Sequence, residues 1–175
     1  AKTSLQVSNA KNILEIGFLY GSMSAMFLEL NSEVTVTSCD IGVYECTDIA
    51  VEVFKRRYGK RFSFYKIDSS KLLDTVDKKR FDLAFIDGDH NPAPVLRDVK
   101  TCMSLNIPYL LFDDIHPEIT AQNYNPFNNV KNIEYANHNG VSIVVNQLEQ
   151  SSRIKHIESW DIPFLTSKVG LYQLC

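Results

Sequence analysis

The sequence lacks the features that mark several common classes of protein. It contains no apolar run approaching the roughly 20 residues that a membrane span requires, and its opening residues are polar, unlike a signal peptide. Its 18 Lys and Arg residues stand against 21 Asp and Glu residues, so no basic excess points to a nucleic acid. Internal repeats, low-complexity blocks and Pro/Gly-rich linkers are also missing. We therefore expect a cytoplasmic protein with neither a membrane nor a nucleic-acid partner.

Cysteine is scarce and forms no recognisable motif. The four residues Cys39, Cys46, Cys102 and Cys175 include no CxxC pair, and their spacing fits no zinc site. We expect them to be reduced and partly buried. The 175 residues, 45% of them apolar, can bury a core in one domain without disulfides or a structural metal. Since the chain begins without Met, we expect it to be a trimmed form or part of a longer protein.

Short apolar runs recur instead, each rich in β-branched or aromatic residues. Runs of five or six such residues are typical of strands buried on both faces. The sequence predicts strands at residues 12–16, 34–39, 62–67, 81–86 and 108–112.

Helical patterns separate these runs, at residues 22–30, 44–58 and 93–105. The first helix has apolar residues at helical spacing, and the second has apolar residues on one face. We expect these residues to face the core: Met23, Met26, Phe27 and Leu30 in the first, and Ile49, Val53 and Phe54 in the second. Strands that alternate with helices predict a doubly wound α/β fold with a mostly parallel sheet and right-handed crossovers.

The last third of the chain has a different pattern. Residues 119–138 are expected to form a loop with a short helix, and residues 141–149 favour a helix over a strand. Residues 154–160 and 169–174 are predicted to be a terminal antiparallel pair, which completes a seven-stranded sheet.

Acidic residues follow the same order as the strands. Each predicted strand ends in, or just before, an acid: Glu15, Asp40, Asp68, Asp87, and the pair Asp113 and Asp114. In open α/β sheets, ligands bind beyond the carboxyl ends of the strands, so these carboxylates are expected to converge there. Helix capping explains one or two of them. It does not explain the adjacent pair, since like charges repel unless a cation or ligand neutralises them.

A glycine-containing turn follows the first strand. It has the form ExGxxxG, with Glu15, Gly17 and Gly21, and lacks the GxGxxG of dinucleotide-binding proteins. With the acids above, this pattern resembles the class I S-adenosylmethionine (SAM) dependent methyltransferases, which have a Rossmann-like fold. SAM carries a cationic sulfonium and no pyrophosphate, so an acid-lined pocket suits it. The resemblance implies that SAM is bound by Glu15, Gly17, Phe18, Gly21, Asp40, Ile41, Asp68, Ser69 and Asp87.

Two further segments narrow the resemblance. FDLAFIDGDH at residues 81–90 and LLFDDIHP at residues 110–117 look like the small-molecule O-methyltransferases of the macrocin and mycinamicin type. The resemblance implies that Asp87, Asp113 and Asp114 bind a divalent cation and that His90 is the general base, with Asp87 beside it. Three carboxylates would favour Mg²⁺ or Mn²⁺ over zinc.

These patterns lead to one main hypothesis and two alternatives. The main hypothesis is a single SAM-dependent methyltransferase domain over residues 1–175, acting on a hydroxyl of a small molecule or sugar, with core residues 12–117. Residues 118–175 would supply an acceptor-side loop, a helix and the terminal strands. Residues 115–140, a second copy in a homo-oligomer, or chain preceding Ala1 would complete the acceptor pocket. The alternatives are an NAD-dependent oxidoreductase, which the missing GxGxxG disfavours, and a non-catalytic nucleotide-binding domain.

Overall fold

The computed structural model describes residues 2–76, 80–116, 140–161 and 167–175 of the chain. Seven strands form one sheet within these ranges. They are β1 (Asn12–Ile16), β2 (Thr35–Asp40), β3 (Phe62–Lys66), β4 (Leu83–Ile86), β5 (Tyr109–Ile115), β6 (Ile154–Asp161) and β7 (Lys168–Leu174).

In the same described ranges, six α-helices connect or flank these strands. They are α1 (Lys2–Ser8), α2 (Ser22–Leu30), α3 (Glu45–Tyr58), α4 (Leu72–Thr75), α5 (Pro92–Ser104) and α6 (Gly140–Gln150), with 3₁₀ turns at Gly59–Arg61 and Ser69–Lys71. The segment at 141–149 is thus a helix, as the sequence favours. None of the helices in the described ranges is long and apolar enough to cross a membrane.

The strand order is β3-β2-β1-β4-β5-β7-β6. Strands β1 to β5 pair in parallel, whereas β7 pairs antiparallel with both β5 and β6. The order reverses at β1, which lies between β2 and β4, and this reversal opens a crevice at the carboxyl ends of the strands. The predicted α/β fold, with a mostly parallel seven-stranded sheet and a terminal antiparallel pair, is confirmed.

Buried apolar residues cover both faces of the sheet. On one face, α4, α5 and α6 pack against side chains that include Leu14 and Ile16 of β1. On the other, α1, α2 and α3 pack against side chains that include Ile13. Successive residues of a strand point to opposite faces, so Glu15 lies on the same face as Ile13. This alternation determines the face of the sheet toward which the Glu15 carboxyl points.

The predicted core faces of two helices are correct only in part, because Phe27 of α2 and Phe54 of α3 are buried but other predicted residues are exposed. In α3, Ile49 is 67% exposed and Val53 is 54% exposed, while the buried residues are Thr47, Val51, Phe54 and Tyr58. In α2, Met26 and Leu30 are 49% and 45% exposed. Both helices carry apolar residues on more than one side, so periodicity alone does not select the side that packs on the sheet.

The fifth strand is longer than predicted and contains the acidic pair. It runs to Ile115, and its pairing with β7 is irregular between Phe112 and Ile115. Asp114 there has a φ of 54°, in the left-handed region that non-glycine residues rarely adopt. The bulge therefore changes the direction of the two neighbouring carboxylates. Most of the segment expected to form the acceptor pocket, residues 117–139, lies outside the described ranges.

Candidate active site

A cavity of about 490 Å³ opens at the carboxyl ends of the parallel strands. Its size is in the range of small-molecule and cofactor sites. All the predicted cofactor residues except Glu15 and Gly21 line it, and His90 lines it too. The described chain thus brings together residues that are up to about 70 positions apart, as expected from acids that follow neighbouring strands.

The turn after β1 requires glycine at its first position. Gly17 has a φ of 92°, and a Cβ atom there would overlap the backbone carbonyl of Asp87. Its N–H donates to the carbonyl of Cys39 at 2.9 Å, and the N–H of Asp87 donates to the carbonyl of Ile16 at 2.9 Å. Gly17 therefore lets the ends of β1, β2 and β4 approach each other, which forms the wall of the cavity.

Asp40 connects the end of β2 to this turn. Its Oδ2 accepts hydrogen bonds from the backbone N–H groups of Phe18 and Leu19, each at 2.9 Å. Its Oδ1 accepts from the N–H of Gly42 at 2.7 Å. Each carboxylate oxygen can accept two hydrogen bonds, so Oδ1 retains acceptor capacity for a ligand hydroxyl.

Three predicted cofactor residues support the turn from its core side. Phe18 is 3% exposed, and its ring lies 5.2 Å from that of Phe54 and 5.4 Å from that of Phe62, so only its backbone faces the cavity. A side chain at Gly21 would meet the Phe18 and Phe54 rings. Glu15 is 1% exposed and bound by Ser24 and Ser38. These residues support the turn from within the core.

Asp87, His90 and Asp114 form a titratable cluster beside the cavity. His90 Nε2 lies 3.4 Å from Asp87 Oδ1 and 3.7 Å from Asp114 Oδ2. One ligand atom from each of the three side chains lies within 4.8 Å of the others, close enough to share a metal ion. The hydrogen bond to Asp87, with the charge of Asp114, raises the pKa of His90 above its usual 6.5. Burial raises the pKa of Asp87.

Asp113 takes a different position from its neighbour. Its Oδ1 accepts a hydrogen bond from the backbone N–H of Asp114 at 2.9 Å. Burial, and then the charge of Asp87, raise the pKa of Asp113 to about 6. The predicted set of Asp87, Asp113 and Asp114 is therefore gathered at one site, but His90 rather than Asp113 has its ligand atom in the tight cluster.

The opposite part of the cavity is formed by the turn after β3 and by α5. Asp68 Oδ1 accepts from the backbone N–H of Ser70 at 2.8 Å and lies 3.6 Å from Arg97. The Ser69 hydroxyl instead donates to Asp98 Oδ1 at 2.6 Å. Asp98 is 1% exposed and lines the cavity together with Arg97.

The family assignment rests on a sequence match that covers this whole framework. The family model for a methyltransferase domain matches residues 14–115, more than half of the chain. The chain belongs to this methyltransferase family. The class I methyltransferase resemblance seen in the sequence is thereby confirmed at the family level. No sequence among curated proteins is similar enough to the chain to count as a match.

Solved structures show the same fold. A Staphylococcus aureus protein assigned to the caffeoyl-CoA O-methyltransferases is 16% identical, with a TM-score of 0.74 over 98% of this chain and 80% of its own. An O-methyltransferase from Bacillus cereus in complex with SAH is 20% identical (TM-score 0.65, 98% and 78%). The N-methyltransferase NodS from Bradyrhizobium japonicum is 14% identical (TM-score 0.66, 99% and 82%). The fold is thus common to enzymes that methylate oxygen and nitrogen.

Sequence reasoning missed one group of this methyltransferase's cavity residues. Asp98 and Arg97 lie in the middle of α5, far from any strand end. A signal was present, since Asp98 falls between Val95, Val99 and Cys102 on the buried face of the helix. An acid on an otherwise apolar helix face requires a polar partner, and here that partner is Ser69.

Proposed function

We propose that this methyltransferase transfers the methyl group of SAM to a hydroxyl group of a small molecule. The observation that carries the proposal is the Asp87–His90–Asp114 cluster, which lies beside an acid-lined cavity at the carboxyl ends of the strands. Such a cluster offers both a proton acceptor and carboxylates to stabilise positive charge. A hydroxyl acceptor needs such a group, because it must lose its proton to attack a sulfonium methyl.

SAM would lie along the cavity, as the positions of the polar groups suggest. The turn at Gly17 permits close approach of the methionine part, and Asp40 Oδ1 has capacity for a ribose hydroxyl. Asp68 and Ser69, which also line the cavity, would lie toward the base. A cavity lined by carboxylates attracts the cationic sulfonium of SAM and repels the anionic pyrophosphate of NAD. The charge of the cavity therefore supports SAM over NAD.

His90 is the proposed general base. Its Nε2 lies between Asp87 and Asp114, whose carboxylates stabilise the imidazolium that forms when the ring takes a proton. The side chain is 22% exposed, so an acceptor in the cavity can approach it. Asp87 then serves both to orient the ring and to border the methyl-donor site.

The same residues fit a divalent cation. Asp87 and Asp114 supply oxygen atoms, and the pKa of about 6 at Asp113 reflects burial beside negative charge that a cation would offset. We propose that Asp87 and Asp114, with Asp113 beside them, hold Mg²⁺ or Mn²⁺. When bound, the ion would lower the pKa of an acceptor hydroxyl.

The cofactor proposal is tested by calorimetry on the wild-type protein with S-adenosylhomocysteine (SAH) and NAD⁺. We expect binding of SAH and none of NAD⁺. Binding of NAD⁺ without SAH would support the oxidoreductase alternative and contradict the proposal. Failure to bind either ligand would also contradict it.

The chemical roles need a second experiment, with methyl transfer from SAM to a panel of phenol, sugar and amine probes. We expect products on hydroxyl probes, with activity lost in His90→Ala and kept in His156→Ala, a histidine on β6 far from the cavity. Mn²⁺ titration followed by electron paramagnetic resonance is expected to show weaker binding in Asp114→Asn. Methylation of amines alone, or full activity of His90→Ala with SAM bound, would contradict the assignment.

A further inference from the structure

Asp98 is a buried charge at the floor of the cavity that the proposed chemistry does not use. It lies on α5 among Val95, Val99 and Cys102, and 1% of its surface is exposed. It is nevertheless one of the residues that line the cavity. An acid in such a place costs free energy unless hydrogen-bond donors satisfy it, so its contacts show what it can still bind.

The two oxygens of Asp98 have different surroundings. Oδ1 accepts a hydrogen bond from the Ser69 hydroxyl at 2.6 Å and lies 3.9 Å from Arg97 Nε. Oδ2 accepts no hydrogen bond from the part of the chain that the structure describes. In that same part of the chain, Thr47 Oγ1 is the one fully buried side-chain nitrogen or oxygen atom without a hydrogen-bond partner. Asp98 Oδ2 is therefore not fully buried, and since Asp98 lines the cavity, we take Oδ2 to face it.

The position of this oxygen selects one part of the cofactor. A Cβ atom built on Gly88, the residue after Asp87, would lie 3.8 Å from Asp98 Oδ2. Oδ2 thus lies between the turns that follow β3 and β4. In the proposed binding mode the methyl-donor end lies beside His90 and the ribose beside Asp40, which leaves this region for the base.

Asp68 is less suited to contact the base, although the sequence suggests it for that role. Its carboxyl is 49% exposed and is occupied by the N–H of Ser70 and by Arg97. The side chain of Asp98 is 2% exposed. The hydroxyl of Ser69 fixes Asp98 Oδ1, so the direction of Oδ2 is set before any ligand binds.

We propose that Asp98, oriented by Ser69, accepts a hydrogen bond from the exocyclic amine of the cofactor's adenine and thereby selects adenine over hypoxanthine. The inference rests on the proposed use of SAM. Adenine presents N–H donors at this position, whereas hypoxanthine presents a carbonyl oxygen that would face a carboxylate without a proton between them. Burial raises the pKa of Asp98, and a hydrogen bond donated by a bound amine would favour the ionised form of its carboxyl.

The test compares SAH with S-inosylhomocysteine, in which the amine is replaced by a carbonyl. Calorimetry on the wild-type protein is expected to show SAH binding about 10- to 100-fold more tightly, the range for one hydrogen bond to a charged group. In Asp98→Asn, the amide can donate to the carbonyl, so the preference is expected to shrink or reverse. Asp89→Asn is the matched control. This substitution makes the same charge change in the cavity lining, but the Asp89 carboxylate already accepts two hydrogen bonds from Asn91. We therefore expect the variant to keep the wild-type preference for SAH over S-inosylhomocysteine.

The outcomes separate this inference from the proposed function. If the wild type binds neither ligand, SAM use itself is contradicted. If the wild type binds SAH and S-inosylhomocysteine equally, or if Asp98→Asn weakens both by the same factor, Asp98 has only a structural role and the inference is overturned. Should Asp98→Asn fail to fold, Ser69→Ala retains the carboxylate and frees its orientation. The wild-type preference is then expected to diminish, and an unchanged preference would contradict the proposal.

Discussion

Glu15 offers the sharpest test of how the glycine turn is supported. Its Oε2 accepts hydrogen bonds from the hydroxyls of Ser24 and Ser38 at 2.6 Å each, and its Oε1 accepts from the N–H of Ser24 at 3.1 Å. Burial raises the pKa of Glu15 from 4.5 to about 7, against the effect of the serine hydrogen bonds. The folded protein therefore keeps a proton on Glu15 at pH values where the unfolded chain has lost it.

The sign and size of the effect on stability follow from this difference. Because the pKa is higher in the folded state, the stabilising contribution is fully present below about pH 4.5 and is lost as the pH rises to about 7. At about 1.4 kcal/mol for each pH unit, the whole interval corresponds to about 3 kcal/mol. Integration of the two titrations assigns about 2.5 kcal/mol of this loss to the range from pH 5 to pH 8.

The substitution Glu15→Gln keeps the shape of the side chain and removes its titration. Urea unfolding of both proteins, followed by circular dichroism, measures the free energy of unfolding at pH 5 and pH 8. We expect the stability of the wild type relative to the variant to fall by about 2.5 kcal/mol between these pH values. A difference independent of pH would refute the assigned burial. In the control Glu33→Gln, Lys11 lowers the pKa of an exposed carboxyl, so no such fall is expected.

Three further predictions concern the turn, the core and a helix end. Gly17→Ala is expected to abolish SAH binding in calorimetry, because its Cβ overlaps the Asp87 carbonyl; retained affinity would contradict the proposed path of the turn. Phe27→Ala, at a fully buried position, is expected to lower the free energy of unfolding by about 3–5 kcal/mol in urea. Arg61→Ala removes a guanidinium that donates to three backbone carbonyls in and after α2. We expect this substitution to lower the free energy of unfolding in urea by about 2 kcal/mol. Lys60→Ala, the exposed neighbouring cation, should change stability by less than about 0.5 kcal/mol.

The parallel strands were predictable because they are buried on both faces. Each appears in the sequence as a continuous apolar run, and β1 has the predicted bounds. The helix faces were less predictable. Ile49, Val53 and Phe54 have the correct spacing for a core stripe, yet of these three only Phe54 is buried, together with Val51. The sequence periodicity permits both faces, and only the position of β3 and its neighbours decides between them.

The candidate site was likewise predictable from the sequence only in part. The acids at the strand ends do converge, since parallel strands end at one edge of the sheet. The direction of each carboxyl was not predictable. Glu15 turns inward to serines that are 9 and 23 residues away, and the bulge at Asp114 separates it from Asp113. These directions depend on long-range partners that no local pattern specifies.

The sequence by itself therefore determined the order of strands and helices, the methyltransferase family and the edge of the sheet where ligands bind. These properties follow from local periodicity and from motifs short enough to read along the chain. Only the tertiary structure decided which acids face the cavity and which support it, and it added Asp98 from the middle of a helix. The physical reason is that a carboxyl's exposure, partners and pKa are set by residues brought close in space by the fold.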